Sequence, residues 1–159
     1  MEFCELVNEH GVRTGRTVAR GTVVATGEYY PVVHVWIRDE AGDYLVQHRA
    51  HDRPVDPGIW AVTAGCVQAG EDSLAAALRE TQEELGLTLL PAQLQRLQQQ
   101  ALENRFEDIW LATVTRAALG TPQPGPEVAD WKWASKAVLS ELISLSEFFG
   151  YSYFDRLPA

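Results

Sequence analysis

Residues 65–87 have the sequence GCVQAGEDSLAAALRETQEELGL, and the rest of the chain is best understood outward from them. Mostly apolar residues recur there at helical spacing, at Leu74, Ala77, Leu78, Thr81 and Leu85. Asp72 or Ser73 can cap the first turn of such a helix, and Gly86 is well placed to end it. We therefore predict one amphipathic helix whose apolar stripe faces the core.

Acidic residues crowd the same helix. Five acids and a single base, Arg79, lie between Glu71 and Glu84. On a helix Glu80 is one turn from both Glu83 and Glu84, so these carboxylates share a face. Two such charges about 5 Å apart repel by roughly 3 kcal/mol at an effective dielectric constant of about 20. A divalent cation with oxygen ligands, Mg2+ or Mn2+, would offset this repulsion, whereas the alternative is an ordinary solvated acidic face.

The glycines, glutamates and arginine around this helix form a longer pattern. Gly-x5-Glu-x7-Arg-Glu-x-x-Glu-Glu-x-Gly-aliphatic is satisfied by Gly65, Glu71, Arg79, Glu80, Glu83, Glu84, Gly86 and Leu87. Seven fixed positions at about 7% usage each match by chance on the order of once in 10^8 starts. The pattern resembles the signature of the Nudix hydrolase family, with Thr81 standing where an aliphatic residue is usual.

The resemblance implies a chemistry and the residues that perform it. The expected reaction is metal-dependent hydrolysis of a small substrate in which a nucleoside or other diphosphate is linked to a further group. A metal would stabilise charge on the phosphate oxygens, and a base would activate the water. Carried over by position, Glu80 and Glu84 are the first candidate metal ligands, with Glu83 next. Glu80, Glu83 and Arg79 are the candidate catalytic residues, and Arg79 is expected to orient a glutamate by an ion pair.

Other positions have supporting roles in this resemblance. The backbone carbonyl near residues 64–65 is a further candidate ligand, and Glu71 opens the helix and acts through a water or through structure alone. The glycines that shape the backbone are Gly65, Gly70 and Gly86. The identity of the general base stays open, because it could be Glu80 or an acid on a distal loop. These distal candidates, each of which could instead be a surface acid, are Glu103, Glu107, Asp108 and Glu127.

The remaining sequence predicts strands around the helix. Strand-like segments lie at 5–8, 12–18, 32–38, 44–48, 59–67, 94–102, 109–114 and 131–133, and a second helix is predicted from its cap at Ser135 to about residue 143. Together with the resemblance, this pattern predicts an α/β sandwich of the α+β class, with a mixed central sheet and flanking helices. We expect residues 1–28 to form an N-terminal hairpin extension and residues 29–159 to form the Nudix domain.

A closer resemblance extends over most of residues 3–90. The segments ELVNEHGVRTGR, VVHVWIRDEAGDYLVQHRA and PGIWAVTAGCVQAGE are similar to the Nudix branch related to isopentenyl-diphosphate isomerase. Isomerisation is therefore an alternative function, but Ala64 stands at the position of the isomerase's acidic cysteine, Cys66 at that of a histidine, and Tyr30 at that of a metal-binding histidine. The intact glutamate run favours hydrolysis over isomerisation, and also over a non-catalytic nucleotide sensor, since such modules usually lose these glutamates.

The composition narrows the partners. The net charge of −9 argues against polymeric DNA or RNA as a partner. The sequence contains no run of 18 apolar residues, so we expect no membrane span. The start MEFCELVNEHG lacks the features of a signal peptide, and two cysteines make no disulfide framework, so we expect a cytoplasmic protein. The expected partner is a small diphosphate-containing metabolite. Cys66 is interpreted as a small buried residue, and His48 and His51 lack a nearby third ligand for a metal.

Substrate contacts are expected from outside the helix. Arg38, Arg49 and Arg53 could hold a phosphate, and Trp36 and Trp60 could stack on a base, although each could equally serve packing. The aromatic segment 146–157 could dock on the domain, line the substrate pocket or form a homodimer contact. We favour docking, because an exposed aromatic patch promotes aggregation.

Overall fold

The N-terminal segment is a β-hairpin that forms a two-stranded sheet of its own. The computed structural model describes every residue from 1 to 159. Strand β1 (Phe3–Val7) pairs antiparallel with β2 (Arg13–Ala19). Asn8 shapes the turn, because its side-chain oxygen accepts hydrogen bonds from the backbone N–H groups of His10, at 2.9 Å, and Val12, at 3.0 Å. The predicted hairpin is confirmed, and its status as an extension of a single domain stays a prediction.

Seven further strands form the main sheet. They are β3 (Tyr30–Arg38), β4 (Tyr44–Arg49), β5 (Trp60–Ala61), β6 (Thr63–Cys66), β7 (Leu94–Leu102), β8 (Arg105–Thr113) and β9 (Val128–Ala134). The order is β5-β4-β3-β8-β7, with β6 paired to β3 and β9 paired to β4. Only β3 and β8 run parallel, so the sheet is mixed, as predicted.

The sheet opens between β3 and β4. These two strands pair only at Arg38 and Tyr44, whereas residues 32–35 of β3 pair with β6. β4 pairs instead with β5 and β9. The opening places β6 against the main helix and turns one face of β4 toward it.

The helices begin and end where local chemistry allows. Helix α1 (Ser73–Leu85) is capped by Asp72, whose carboxylate accepts from the backbone N–H of Ala75 at 2.8 Å, and it ends at Gly86, which has a φ of 64° that suits glycine. A short helix, α2 (Arg116–Leu119), was not predicted. Helix α3 (Lys136–Ser144) has the expected cap, Ser135, and extends one residue beyond the predicted end.

The core has two main parts, one on each face of the sheet. On one face, α1 packs on apolar side chains of β3, β4 and β8. On the other, the C-terminal segment packs on Trp36 and its neighbours, and its buried residues are Phe148, Tyr151, Tyr153, Phe154 and Leu157. The prediction that the aromatic segment docks on the domain is therefore confirmed. Each layer hides apolar surface that would otherwise face water.

Three strand predictions need correction. The strand predicted at 59–67 is divided at Val62 into β5 and β6, because the two halves pair with different partners. β8 begins at Arg105 rather than residue 109, and β9 covers seven residues rather than three. In β8 the early residues include Glu107 and Asp108, whose charges mask a strand in the sequence although both side chains are buried and hydrogen-bonded. No helix is long and apolar enough to cross a membrane.

Candidate active site

The buried face of α1 carries carboxylates as well as apolar side chains. Glu80 is 7% exposed and Glu84 is 6% exposed, and both lie beside Ala77 and Thr81 on this face. Gly65 in β6 makes room for Glu80, since a Cβ atom there would collide with the Glu80 carboxylate. The sequence predicted that these glutamates share a face, and the alternative of a solvated face is wrong for these two.

Arg79 pairs with three glutamates at once. Its guanidinium lies 2.5 Å from the carboxylate of Glu71, 2.8 Å from that of Glu80 and 3.2 Å from that of Glu83. It also donates a hydrogen bond to the carbonyl of Cys66 at 3.0 Å. These partners raise the pKa of Arg79, with the Glu71 hydrogen bond the main cause, so this cation stays charged and joins the start of α1 to β6.

Glu84 is held by donors from two strands. Its Oε1 atom accepts from Nε2 of Gln47 in β4, at 2.8 Å, and from the backbone N–H of Ala64 in β6, at 3.3 Å. Burial raises the pKa of Glu84 to about 8, against the opposing effect of the Gln47 hydrogen bond, and the charge of Glu80 adds to the rise. Burial likewise raises the pKa of Glu80 to about 7, although Arg79 opposes it.

The balance of charge around α1 fits a divalent cation. Three of the four glutamates pair with the single guanidinium of Arg79, Glu84 pairs with no cation, and burial raises the pKa values of Glu80 and Glu84. Carboxylate oxygens are the donors that Mg2+ and Mn2+ prefer. In this structure the carboxylates do not form a complete metal site, since no three His, Cys, Asp or Glu side chains lie close enough together to hold a metal ion. Glu83 is turned toward Arg79, with its side chain 56% exposed.

The four distal base candidates lie in different surroundings. Glu103 is exposed at the turn between β7 and β8 and pairs with Arg105 at 3.4 Å. Asp108 is buried on the α1 face, where it accepts from Gln99 at 2.7 Å. Glu127 precedes β9, and its charge is among the causes that raise the pKa of Glu84. Of these three, only Glu127 lies close enough for its charge to act on a glutamate of α1.

Glu107, the fourth candidate, is buried on the opposite face of the sheet. It accepts from Gln100 at 2.7 Å and from Arg105 at 3.2 Å, and it lies 3.6 Å from Nε2 of His34. Burial lowers the pKa of His34 to about 4, despite the charge of Glu107, so this histidine is neutral near pH 7 and the contact is no ion pair. Tyr153 fixes the ring from the other side at 2.7 Å.

Two residues that were predicted to contact the substrate, Arg38 and Trp36, make contacts within the fold instead. Arg38 lies at the far end of β3, where it donates to the carbonyl of Ala159 at the C-terminus. Four residues separate it from His34, which pairs with Ala64, so about 13 Å of strand separates Arg38 from the β6 site. Trp36 is fully buried under the C-terminal segment, so its packing interpretation is the one the structure supports.

Other predicted contacts stay near the opening of the sheet. Arg49 donates to the carbonyls of Val55, at 2.8 Å, and Asp56, at 3.2 Å, and thereby holds the loop after β4. Arg53 pairs with Glu127 at 2.9 Å. Trp60 stacks on His48 at 4.8 Å between ring centroids, with the Lys132 ammonium 4.2 Å from its ring.

Gln47, Thr63 and Arg20 were missed by sequence reasoning. Gln47 stands among apolar residues in YLVQHR, and this isolated polar residue in a buried strand was the available signal. Thr63 donates to it at 3.1 Å. Arg20, in the hairpin, pairs with Glu2 at 2.8 Å and has no distinguishing pattern around it.

Known proteins resemble this chain in sequence and in fold. The family model described as the NUDIX domain matches residues 28–153. An uncharacterized Nudix hydrolase of Listeria monocytogenes is 35% identical over 158 residues, which cover 99% of this chain and 94% of that protein. An isopentenyl-diphosphate Delta-isomerase of Streptomyces griseus is 39% identical over 85 residues, 53% of this chain and 43% of that one. A Deinococcus radiodurans crystal structure superposes with a TM-score of 0.74 at 21% identity, covering 98% of this chain and 96% of that chain.

Proposed function

The chain belongs to the Nudix hydrolase family, and from this membership we propose that it is a Mg2+-dependent enzyme that cleaves a pyrophosphate bond in a small diphosphate-linked substrate. A nucleoside diphosphate joined to a further group is the proposed substrate class. The observation that carries the proposal is the pair of buried glutamates on one face of α1, with Glu80 against Gly65 and Glu84 against the backbone of Ala64, where burial raises the pKa values of both.

Glu80 and Glu84 are the proposed metal ligands, with Glu83 as the third. Glu80 and Glu84 each accept hydrogen bonds through Oε1, and no donor reaches either Oε2 atom. Glu83 can join them by leaving Arg79, which would still hold Glu71 and Glu80. Mg2+, or Mn2+ in its place, would supply positive charge for the phosphate oxygens and would lower the pKa of an attacking water.

The base that takes the proton of the attacking water is proposed to be Glu80 or Glu127. Such a base must reach a water molecule and hold its proton for a short time. Glu80 is supported by its Oε2 atom, which no donor reaches, and in this role it would leave the cation to Glu83 and Glu84. Glu127 is supported by its half-exposed side chain and by the effect of its charge on Glu84, whereas Glu107 is buried and already accepts hydrogen bonds from two side chains.

Cations beside the opening are proposed to attract the phosphate groups of the substrate. Arg49 is the last residue of β4, and Arg53 lies on the loop after it and pairs with Glu127. Arg20 in the hairpin is close enough to Glu80 for the charge of that glutamate to help raise the pKa of Arg20. Burial opposes this rise in the pKa of Arg20, and the main cause of the rise is the hydrogen bond that Arg20 donates to the carboxylate of Glu2. These groups offer local positive charge in a chain whose net charge is −9.

Isomerisation of isopentenyl diphosphate is the second candidate function, because the isomerase from Streptomyces griseus is 39% identical over 85 residues. It is less well supported, since the methyl side chain of Ala64 has no acidic proton, although Ala64 lies beside Glu84 at the position that the isomerase resemblance assigns to an acid. Nucleotide sensing without turnover is weaker again, because all of the glutamates of α1 are present.

A substrate screen with Mg2+ tests the proposed function. The purified chain is incubated with nucleoside diphosphate sugars, dinucleoside polyphosphates, oxidised nucleoside triphosphates and isopentenyl diphosphate, and products are followed by phosphorus and proton NMR. We expect phosphate-ester products from one of the nucleotide classes, and none from Glu80→Gln or Glu84→Gln. Equal turnover by both variants, or a double-bond isomer as the only product, would contradict the proposal.

A further inference from the structure

A buried amide in β4 points at the candidate metal ligand Glu84. Gln47 is 2% exposed, and its neighbours Leu45 and Val46 are buried apolar residues. A buried amide is costly unless its polar atoms find partners. Gln47 finds two, because its Nε2 donates to Oε1 of Glu84 at 2.8 Å and its Oε1 accepts from the hydroxyl of Thr63 at 3.1 Å.

The direction of this hydrogen-bond chain follows from its acceptor end. Oε1 of Glu84 also accepts from the backbone N–H of Ala64, so this oxygen is an acceptor and the NH2 group of Gln47 faces it. The carbonyl end of the amide then needs a donor, and Thr63, also 2% exposed, provides one. Thr63 therefore sets the orientation of Gln47, and Gln47 sets that of Glu84.

The chain also separates the two oxygen atoms of Glu84. Its Oε1 atom already accepts from Gln47 and from the backbone N–H of Ala64, at 2.8 Å and 3.3 Å, while Oε2 has no hydrogen-bond donor. Two donors on one oxygen restrict the rotation of the carboxylate. They leave the other oxygen as the one with capacity for a cation.

We propose that Gln47 is a positioning residue for the metal site, oriented by Thr63, and that it presents Oε2 of Glu84 as the oxygen that binds the divalent cation. This inference rests on the proposed function, because it assigns a role to residues behind the proposed ligand. Gln47 belongs to β4, Thr63 to β6 and Glu84 to α1, so the three side chains also join the two sides of the open sheet to the helix.

Metal binding without substrate tests this role. Mn2+ affinity is measured by electron paramagnetic resonance on the full chain for wild type, Gln47→Met and Thr63→Val, with thermal unfolding recorded for each. Partners behind a ligand typically contribute about 10- to 100-fold to metal affinity. We expect Gln47→Met to weaken Mn2+ binding by about 10-fold or more, and Thr63→Val by less, because the amide stays in place but loses its fixed orientation.

Two further variants separate positioning from general stability. Thr63→Ser keeps the hydroxyl and should restore Mn2+ affinity to the wild-type value. Thr81→Val removes a buried hydroxyl that donates to the carbonyl of Ala77 within α1 and should leave that affinity unchanged. In turnover assays with Mg2+, Gln47→Met should lower kcat and leave the KM for substrate nearly the same.

The outcomes are distinct. If folded Gln47→Met and Thr63→Val bind Mn2+ with the affinity of the wild type, and the wild type turns over substrate, the positioning role is overturned and the proposed function stands. If Gln47→Met does not fold, the comparison of Thr63→Val with Thr63→Ser decides, and equal affinity in this pair overturns the role of the hydroxyl. A wild type that binds no divalent cation and hydrolyses no diphosphate overturns both proposals.

Discussion

Replacing Gly65 by alanine should damage the site through one methyl group. The added Cβ would overlap Cδ and Oε1 of Glu80 and would lie 2.7 Å from Oε2. Ordinary contacts of this kind are about 3.5 Å, so even Oε2 must retreat by about 0.8 Å and the rest of the carboxylate by more than about 1 Å. A movement of this size would break the 2.8 Å ion pair with Arg79 or push α1 away from β6.

The expected cost follows from this overlap. Added volume in a packed interior destabilises by about 1–3 kcal/mol. For a chain of this length each kcal/mol lowers Tm by about 2–4 °C, so Gly65→Ala should lower Tm by about 2–12 °C. Because a displacement of about 1 Å in a catalytic group can reduce turnover by roughly 100-fold, we expect a loss of that order in kcat.

Thermal unfolding of the metal-free protein and Mg2+-dependent product release measure the two effects. Gly150→Ala is the matched control, because a Cβ there meets no atom within 4 Å and the residue is not left-handed. The double variant Gly65→Ala/Glu80→Ala removes the collision, so it should regain Tm without regaining activity. A Gly65→Ala protein with the Tm and kcat of Gly150→Ala would refute the reasoning, as would a double variant no more stable than the single one.

Three further predictions concern charge and hydrogen bonding. Since burial raises the pKa of Glu84 to about 8, well above its value in an unfolded chain, the folded state binds the extra proton and metal-free stability should fall as pH rises from 6.5 to 8.5. Below pH 6.5, His34 has the opposite effect on stability. Its pKa is about 4 in the folded state, so the stability that the neutral ring contributes is lost as pH falls from 6.5. Tyr153→Phe should destabilise by about 1–3 kcal/mol, because it leaves buried His34 and Trp36 without the hydroxyl that they contact at 2.7 and 2.9 Å. If Glu127 is the base, Glu127→Gln should lower kcat by about 10^2- to 10^4-fold without a change in Tm.

Each of these has a control. In Glu84→Gln, Tm should fall less steeply above pH 6.5 than in the wild type, and added Mg2+ should make the fall in wild-type Tm smaller. An unchanged slope of Tm against pH in both experiments would contradict the raised pKa of Glu84. Tyr29→Phe is the control for Tyr153→Phe, because the hydroxyl of Tyr29 makes no hydrogen bond. Its free energy of unfolding in urea should match that of the wild type. Exposed Glu141→Gln on α3 is the control for Glu127→Gln, and equal kcat in the two would return the role of base to Glu80.

Local patterns predicted much of the fold and the composition of the site. The limits of β7 agree with the prediction at both ends, and α1 ends at Gly86 as predicted and is capped by Asp72, one of the two predicted caps. Such features depend on residues a few positions apart, so periodicity and capping chemistry are sufficient to find them. The start of β8 was missed for the opposite reason, because Glu107 and Asp108 become strand residues only when glutamines of β7 satisfy them.

The sequence by itself determined that Glu80, Glu83 and Glu84 share a helical face, because the helix repeat settles which side chains are neighbours. Only the tertiary structure decided that Glu80 and Glu84 are buried while Glu83 is exposed. It also decided that Gln47, 37 residues away, holds Glu84, and that Tyr153, 119 residues from His34, fixes that ring. The physical reason is that burial and partners depend on which distant segments pack together, and burial by that packing is the main cause of the raised pKa values of the two glutamates.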